Sequence, residues 1–502
     1  MFFPGTLSSG CSRCRKRRIK CDGKRPGCRR CEIYQTTCPG YDQSLVVPFH
    51  AEQRSSFFQG PAVGTSSQPQ PAPTDLLALT RDRVRRMSVS VNPNPTRQPQ
   101  PSFEDESIAF FLQEHCIQPE PGPLRGHLEF LQEMYQSSNH DTCLRQATLA
   151  TAYMSLSRHY KSSQLYFTAR AHYGLALRAV NRDLTASSKT LKDETLVSIM
   201  FLGMMEDIDC EGSGAKAVHM LGISRLYEFI GYRLLNSVHK SSLDAWIFTE
   251  LQIPSLNASK DLDCLAIPDT NLETSNPTIH MALIVTRIGQ FYRLAKRLTS
   301  PEVLKGQAQR RSQLLSAIQQ AMDIQSELIK IAGALPSQWK RQETEDKRQA
   351  NAESPPLASG WIACLGCGFN AHLILFFSRF LSCCRTLVQL DYRTKKLTPE
   401  THLAETSMPL AEAQLRRLTA TVCATMPYLM GEVNEQGTSI AVPQQKAVIM
   451  YRLIWPLAIV IGSPHSTSQQ IENCQTRLNW IRDRYGIKLA SVAPDLVKEL
   501  MP

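Results

Sequence analysis

The 502-residue sequence contains few of the patterns that mark an enzyme or a β-sheet protein. It has no phosphate-binding glycine loop, no G-x-S-x-G segment and no H-E-x-x-H segment, so we predict no enzymatic activity. Alternating runs of β-branched residues between turn signals are missing, which argues against a sheet. Proline is absent from residues 124–253, so nothing in that stretch interrupts helix formation.

The sequence also has little that suggests secretion. The stretch Met1–Gly5 is short and contains Pro4, so we expect no signal peptide. Ten cysteines between Cys116 and Cys474 follow no regular spacing, which is typical of reduced thiols inside a cell.

Six further cysteines near the N-terminus have a regular spacing, C-x2-C-x6-C-x6-C-x2-C-x6-C. They are Cys11, Cys14, Cys21, Cys28, Cys31 and Cys38. Two tetrahedral zinc ions need eight thiolate bonds, and six sulfurs supply eight bonds only if two of them bridge. The basic, polar spacers argue against a disulfide framework. The long globular chain that follows argues against a metal store of the metallothionein kind.

The spacers between these cysteines are strongly basic. From Cys11 to Cys38 there are ten lysines and arginines against Asp22 and Glu32, which gives +8 of the chain's net charge of +11. With six thiolates and two zinc ions, the unit keeps a charge of about +6. A small, positive, metal-nucleated unit is typical of a protein that binds the phosphate backbone of DNA.

Residues 11–38 resemble the fungal Zn(2)-Cys(6) binuclear zinc-cluster transcription factors at every motif position. The resemblance implies two zinc ions with Cys11 and Cys28 as bridges, Cys14 and Cys21 completing one site, and Cys31 and Cys38 completing the other. It also implies a partner, double-stranded DNA, which the family commonly reads at CGG half-sites.

In this family a short helix near the second cysteine enters the major groove. Its base-contacting positions correspond to Arg17 and Arg18, where many members have lysine. An arginine can donate a bidentate pair of hydrogen bonds to guanine O6 and N7, so the chemistry of readout is kept. The remaining basic positions are expected to contact phosphates, namely Arg15, Lys16, Lys20, Arg29 and Arg30.

Proline usage suggests that the chain has three parts. They are a zinc-cluster DNA-binding domain at 8–42, a linker at 43–102 and a regulatory domain at 103–502. Ten of the 30 prolines fall in residues 39–102, in a Ser/Gln-rich context that predicts a disordered linker. Leucines near residue 76 do not continue as heptads, so no coiled coil is expected there. A homodimer, if formed, should therefore use the region beyond residue 102.

Residues 103–502 are predicted to form a large all-α regulatory domain of about a dozen helices. Apolar residues recur every three or four positions in residues 140–158, 166–182, 191–205 and 217–235. The region resembles the fungal-specific transcription-factor domain that often follows such zinc clusters. The predicted fold is thus mostly α.

Three segments of this region suggest other functions. Residues 361–381 are apolar and long enough to span a bilayer, but several glycines interrupt them, so we predict a buried central helix and no membrane. Cys364-x2-Cys367 with His372 lacks a second ligand pair, so we predict buried thiols rather than a metal site. We interpret the acidic run 206–211 as a polar helix-to-loop junction closed by glycines.

These patterns together predict a nuclear, zinc-dependent, sequence-specific regulator of RNA polymerase II transcription that contacts the transcription machinery. The family suggests a pathway-specific role, for example over a secondary-metabolite gene cluster. Two alternatives stay open. One is a ligand sensor or enzyme-like helical domain that the zinc cluster targets to DNA, which a cavity with convergent polar groups would favour. The other is a scaffold that binds nucleic acid without sequence preference.

Overall fold

The computed structural model separates into two compact units, residues 1–75 and 76–502. The description covers residues 102–119, 126–186, 192–210, 277–300, 307–334, 360–434, 437–441 and 445–502, with individual positions between 13 and 38 and between 219 and 256. The predicted linker lies outside the described residues except for Ser102.

The described residues form helices and no strands, so the prediction of a mostly α fold is confirmed. One short helix, α1, spans Arg29–Ile33 in the first unit. The second unit contributes α2 Phe103–His115, α3 Leu131–Ser137, α4 Cys143–Tyr160, α5 Ser163–Thr185, α6 Asp193–Asp209, α7 Pro277–Thr299, α8 Gln307–Ala334, α9 Gly360–Thr394, α10 Pro399–Leu429, α11 Ala447–Gly462, α12 Ser468–Tyr485 and α13 Leu489–Lys498.

The first three predicted helices of the regulatory region are confirmed as α4, α5 and α6, and the fourth, 217–235, lies mostly outside the described residues. The first two of these helices, α4 and α5, begin at side-chain caps, whereas α6 begins after Lys192 without one. The hydroxyl of Thr142 accepts a hydrogen bond from the N–H of Arg145, and the hydroxyl of Ser162 accepts one from Leu165. Such caps satisfy backbone donors that a helix leaves unpaired at its start.

Two apolar cores hold the second unit together. The first lies among helices α2 to α6 and includes the buried side chains of Phe111, Met154 and Phe201. The second lies among helices α7 to α13 and includes Tyr292 and Phe376. Burying one such aromatic or aliphatic side chain contributes about 1.5–3 kcal/mol, so these cores supply most of the favourable free energy of folding.

Helix α9 is the central element of the second core. It packs against α7, α8, α10 and α11. By length and composition it could cross a membrane, yet 56% of its most apolar stretch is buried inside the structure. The prediction of a buried central helix is confirmed. Burial also raises the pKa of the Cys364 thiol to about 12, so this cysteine is a neutral core residue, as predicted.

The acidic run contains the end of α6, and Glu211 with the glycines that were predicted to close the junction lies outside the described residues. The helix ends at Asp209, and Cys210 adopts the left-handed conformation with φ 49° and ψ 29°. The Asp209 carboxylate is fully buried and pairs with Arg158 and with the ammonium of Lys488, the latter at 3.3 Å. The backbone N–H of Lys488 also donates to the carbonyl of Ile208 at 3.1 Å. Asp209 and Ile208 therefore anchor the start of α13.

Candidate metal centre and nucleic-acid interface

Three cysteine sulfurs of the first unit converge at one point. The sulfurs of Cys14, Cys28 and Cys31 all lie within 4.8 Å of one another, and their residues are at most 2% exposed. The sulfurs of Cys14 and Cys28 are 3.7 Å apart. A disulfide would set them about 2.05 Å apart. A tetrahedral zinc site with Zn–S bonds of about 2.3 Å sets neighbouring sulfurs about 3.8 Å apart, so the spacing fits a shared zinc ion.

Cys28 also belongs to a second group. Its sulfur, the sulfur of Cys21 and a carboxylate oxygen of Asp22 lie within 4.8 Å of one another. Cys28 is therefore the common member of two potential ligand groups, one reaching Cys21 and the other reaching Cys31. A sulfur in this position can serve two metal ions at once, and the set of thiolate donors is the one that zinc prefers.

The chain around α1 is folded to aim its cysteines inward. The backbone N–H of Cys31 points at the sulfur of Cys28, at 3.4 Å, and such a bond stabilises a thiolate. After the helix, Gln35 takes φ 47° and the N–H of Thr36 bonds to the carbonyl of Cys31 at 3.0 Å. Cys38, two residues after Thr36, packs against the cysteine cluster.

Asp22 joins the two cysteine units. Its carboxylate oxygens accept hydrogen bonds from the backbone N–H of Arg29 at 3.1 and 3.2 Å. Arg29 is the first residue of α1, where backbone donors have no intrahelical partner and a negative charge is favourable. In the sequence, Asp22 is recognisable only as one negative charge between Cys11 and Cys38. Its place directly after Cys21 and seven residues before Arg29 is the signal that could have suggested a cap.

The structure describes some of the predicted DNA contacts. Arg17 and Arg29 are exposed, as DNA-contacting side chains must be. The guanidinium of Arg17 lies over the ring of Tyr34, 5.5 Å from its centroid. Arg30 lies in α1, but its side chain is not described. The other predicted residues of the site lie outside the described part of the chain, namely Cys11, Arg15, Lys16, Arg18 and Lys20.

Comparison with known proteins gives matches along two stretches of the chain. Residues 9–46 match the fungal Zn(2)-Cys(6) binuclear cluster domain. Residues 116–401, more than half of the chain, match the fungal specific transcription factor domain. White-opaque regulator 2 of Candida albicans is 42% identical over 48 residues, which is 10% of this chain and 11% of that protein. The chain thus matches only about a tenth of that curated relative. No solved structure matches.

The matched domains are those of transcription factors and not of enzymes. A binuclear cluster of this kind binds two zinc ions, and the converging sulfurs of Cys14, Cys28 and Cys31 are placed to hold metal. Zinc held here would be structural, since the described residues of this segment pack around cysteines rather than around an apolar core. The chain belongs to the fungal transcription factors that combine a Zn(2)-Cys(6) cluster with the fungal specific transcription factor domain.

Proposed function

We propose that this protein is a nuclear regulator of RNA polymerase II transcription that reads CGG-type half-sites in double-stranded DNA. The observation that carries the proposal is the convergence of cysteine sulfurs, with those of Cys14 and Cys28 3.7 Å apart, inside a segment with a net charge of +8. Its parts are a DNA-binding domain at 8–42, a linker at 43–102 and a regulatory domain at 103–502. The regulatory domain contacts the transcription machinery.

Within the cluster, Cys11 and Cys28 bridge the two zinc ions. Cys14 and Cys21 complete one site, and Cys31 and Cys38 complete the other. The position of Cys28 within 4.8 Å of sulfurs from both sites supports its role as a bridge.

For DNA binding, Arg17 and Arg18 read base edges in the major groove. Each can form a bidentate contact with guanine, worth about 1–3 kcal/mol of discrimination against a wrong base. The phosphate contacts position the domain without reading sequence, and they are Arg15, Lys16, Lys20, Arg29 and Arg30. The exposure of Arg17 and Arg29 supports both roles.

Selection of binding sites from random DNA by the zinc-loaded full chain tests this function directly. We expect enrichment of sequences with one or two CGG-type half-sites, and no enrichment after zinc is removed by a chelator. Recovery of DNA without sequence preference would contradict the proposal and favour the scaffold alternative. Mapping the selected sites onto genes would then test whether the targets form one pathway, such as a secondary-metabolite cluster.

Nuclear location has a separate test. The clusters Lys16–Arg18 and Arg29–Arg30 are dense basic groups of the first unit and can serve import. Replacing these five residues with glutamine should reduce nuclear accumulation of a tagged protein. An unchanged nuclear signal would show that import does not depend on them.

A further inference from the structure

Two cysteines of the second core lie side by side on different helices. Cys423 is on α10 and Cys474 is on α12, both are free thiols, and their sulfurs are 3.9 Å apart. A disulfide sets two sulfurs about 2.05 Å apart, so this pair would have to close by about 1.9 Å. Rotation of one cysteine side chain between staggered positions moves its sulfur farther than this. The two sulfurs are therefore close enough to join.

The two thiols have different surroundings. Cys423 is half-buried, whereas Cys474 is only 1% exposed, so Cys423 is the member of the pair nearer to solvent. The thiol of Cys474 donates to the sulfur of Cys423 and lowers the pKa of Cys423; burial opposes this effect and the charge of Arg477 adds to it. The same hydrogen bond, together with burial, raises the pKa of Cys474. The sulfur of Cys423 is therefore the better nucleophile of the two.

Other buried thiols of the same core have the opposite property. Burial raises the pKa of Cys383 to about 12, and it does the same for Cys384. Such thiols stay protonated at neutral pH and react slowly, because the nucleophile is the thiolate. The lowered pKa of Cys423 therefore comes from its particular neighbours, Cys474 and Arg477, and not from burial.

We propose that Cys423 and Cys474 form a dithiol that hydrogen peroxide oxidises to a disulfide between α10 and α12. Cys423 reacts first, because it is nearer to solvent and closer to the thiolate state, and Cys474 then closes the disulfide. A cellular dithiol returns both cysteines to the reduced form by thiol–disulfide exchange. The helical domain thus responds to peroxide at a place outside the zinc cluster.

The reaction has two steps. In the first, the sulfur of Cys423 attacks one oxygen of the peroxide, the S–O bond forms, the O–O bond breaks, and hydroxide leaves with the thiol proton as water, so Cys423 becomes a sulfenic acid. In the second, the sulfur of Cys474 attacks the sulfur of Cys423, the S–S bond forms and the S–O bond breaks. The proton of Cys474 leaves with the oxygen as a second water. Two electrons pass from the two thiols to one peroxide molecule.

Peptide mapping of the native chain tests the proposal. The zinc-loaded full chain is treated with hydrogen peroxide, the remaining thiols are blocked with N-ethylmaleimide, and the chain is cut with trypsin without a reductant. Trypsin yields the peptides 418–446 and 453–477, which contain one cysteine each, Cys423 and Cys474. We expect these two peptides to be joined, at a mass two hydrogens below their sum, and to be separated again by dithiothreitol.

Two results of this mapping would overturn the proposal. One is recovery of both peptides with blocked thiols under peroxide that oxidises other cysteines of the chain. The other is a link from Cys423 to Cys367, a buried thiol of α9, because it would show that Cys474 does not close the disulfide.

Serine variants separate the roles of the two thiols. Cys474→Ser keeps a hydrogen-bond donor for Cys423 but cannot form a disulfide, so the sulfenic acid of Cys423 should accumulate. Its labelling by dimedone should be several-fold higher than in the native chain. Cys423→Ser should leave Cys474 unoxidised, because that thiol is buried and its pKa is raised. Labelling of Cys423 that is no higher in Cys474→Ser than in the native chain would refute the order of the two steps.

The matched control is Cys383→Ser, which removes a buried thiol from the same core. The yield of the link between Cys423 and Cys474 should stay at the native level in this variant. A link that is lost in Cys383→Ser would show that the disulfide depends on the packing of the whole core, and it would overturn the assignment of a self-contained pair.

Discussion

The guanidinium carbon of Arg17 lies 5.5 Å from the centroid of the Tyr34 ring. Arg17 belongs to the first cysteine unit and Tyr34 to the second, so the contact ties one half of the zinc cluster to the other. Cation–π pairs at exposed sites contribute about 0.5–1 kcal/mol. The contact also restricts where the Arg17 side chain can point, which is useful for a residue proposed to read a base.

From this contact we predict that Tyr34→Ala weakens binding to the specific DNA site by about 0.5–1 kcal/mol, because Arg17 loses its support. Tyr34→Phe keeps the ring and should bind the specific site as tightly as the native protein does.

Arg17→Ala should cost about 1–3 kcal/mol of discrimination between the specific and the wrong base, while Arg29→Ala should weaken binding to all DNA sequences about equally. Fluorescence anisotropy with specific and scrambled duplexes measures these ratios. Discrimination that survives Arg17→Ala would make Arg17 a purely structural residue.

Metal binding should supply most of the folding free energy of the cluster. Its apolar side chains offer little burial, since Ile33 is 63% exposed and Tyr34 is 53% exposed. A structural zinc contributes on the order of 10 kcal/mol at neutral pH. We expect two zinc ions per chain by elemental analysis, a loss of both in Cys28→Ala, and retention of one in Cys38→Ala. Equal losses in the two variants would contradict the bridging role of Cys28.

The zinc cluster could be predicted from the sequence because metal coordination imposes short, regular spacing, which the run from Cys11 to Cys38 displays. The assignment of each cysteine to a zinc ion stays a prediction. The helices were also predictable, because their apolar positions recur with the helical period. The contacts of Asp22 with Arg29 and of Arg17 with Tyr34 were not predicted. They depend on how two short segments fold back on each other, and no periodicity encodes that arrangement.

Long-range polar pairs were missed for the same reason. Asp391 is fully buried and accepts two hydrogen bonds from the Arg311 guanidinium, at 2.7 and 3.1 Å. Thr401 donates to the same carboxylate at 2.6 Å. The three residues lie on α8, α9 and α10 and are separated by up to 90 positions in the sequence. From its residue type alone, each would be predicted to lie on the surface.

We predict that Asp391→Ala destabilises the helical domain by about 3 kcal/mol, because it leaves the Arg311 charge without its buried partner. The control is Asp495→Ala, which removes a carboxylate from an exposed pair with Lys498, where both side chains are more than 70% exposed. That change should cost less than about 1 kcal/mol. Denaturant unfolding followed by circular dichroism measures both. Equal effects would refute the idea that α8, α9 and α10 are clamped at Asp391.

Acid should destabilise the helical domain through its buried histidines. Burial lowers the pKa of His115 to about 3, with a further effect of Lys446, and lowers the pKa of His172 to about 4. In the unfolded chain both would titrate near pH 6.5. The unfolded state therefore binds more protons between about pH 6.5 and pH 4, so stability falls as the pH falls through this window.

Each such histidine should contribute a slope of up to about 1.4 kcal/mol per pH unit. The variant His172→Gln should reduce the slope of the unfolding free energy against pH by up to about 1.4 kcal/mol per pH unit, which corresponds to one proton. An identical slope in His172→Gln and in the native protein would contradict neutral burial of His172.

The last prediction concerns assembly. A CGG half-site has only three base pairs, too few for a unique address in a genome, and two-fold dimers solve this by reading paired half-sites. The sequence after Cys38 lacks heptads, and the Pro-rich segment up to residue 102 predicts a flexible tether. We therefore expect dimer contacts to lie beyond residue 102 and the tether to tolerate several half-site spacings.

Light scattering on residues 1–100 and on the full chain checks this expectation. The short fragment should be a monomer that binds DNA weakly, and the full chain should be a dimer whose affinity changes little when the half-site spacing varies by a few base pairs. A stable dimer of residues 1–100 would reveal a coiled coil in the segment between the zinc cluster and α2. A full-length monomer on a single half-site would mean that a second DNA-binding protein supplies the missing specificity, because three base pairs cannot.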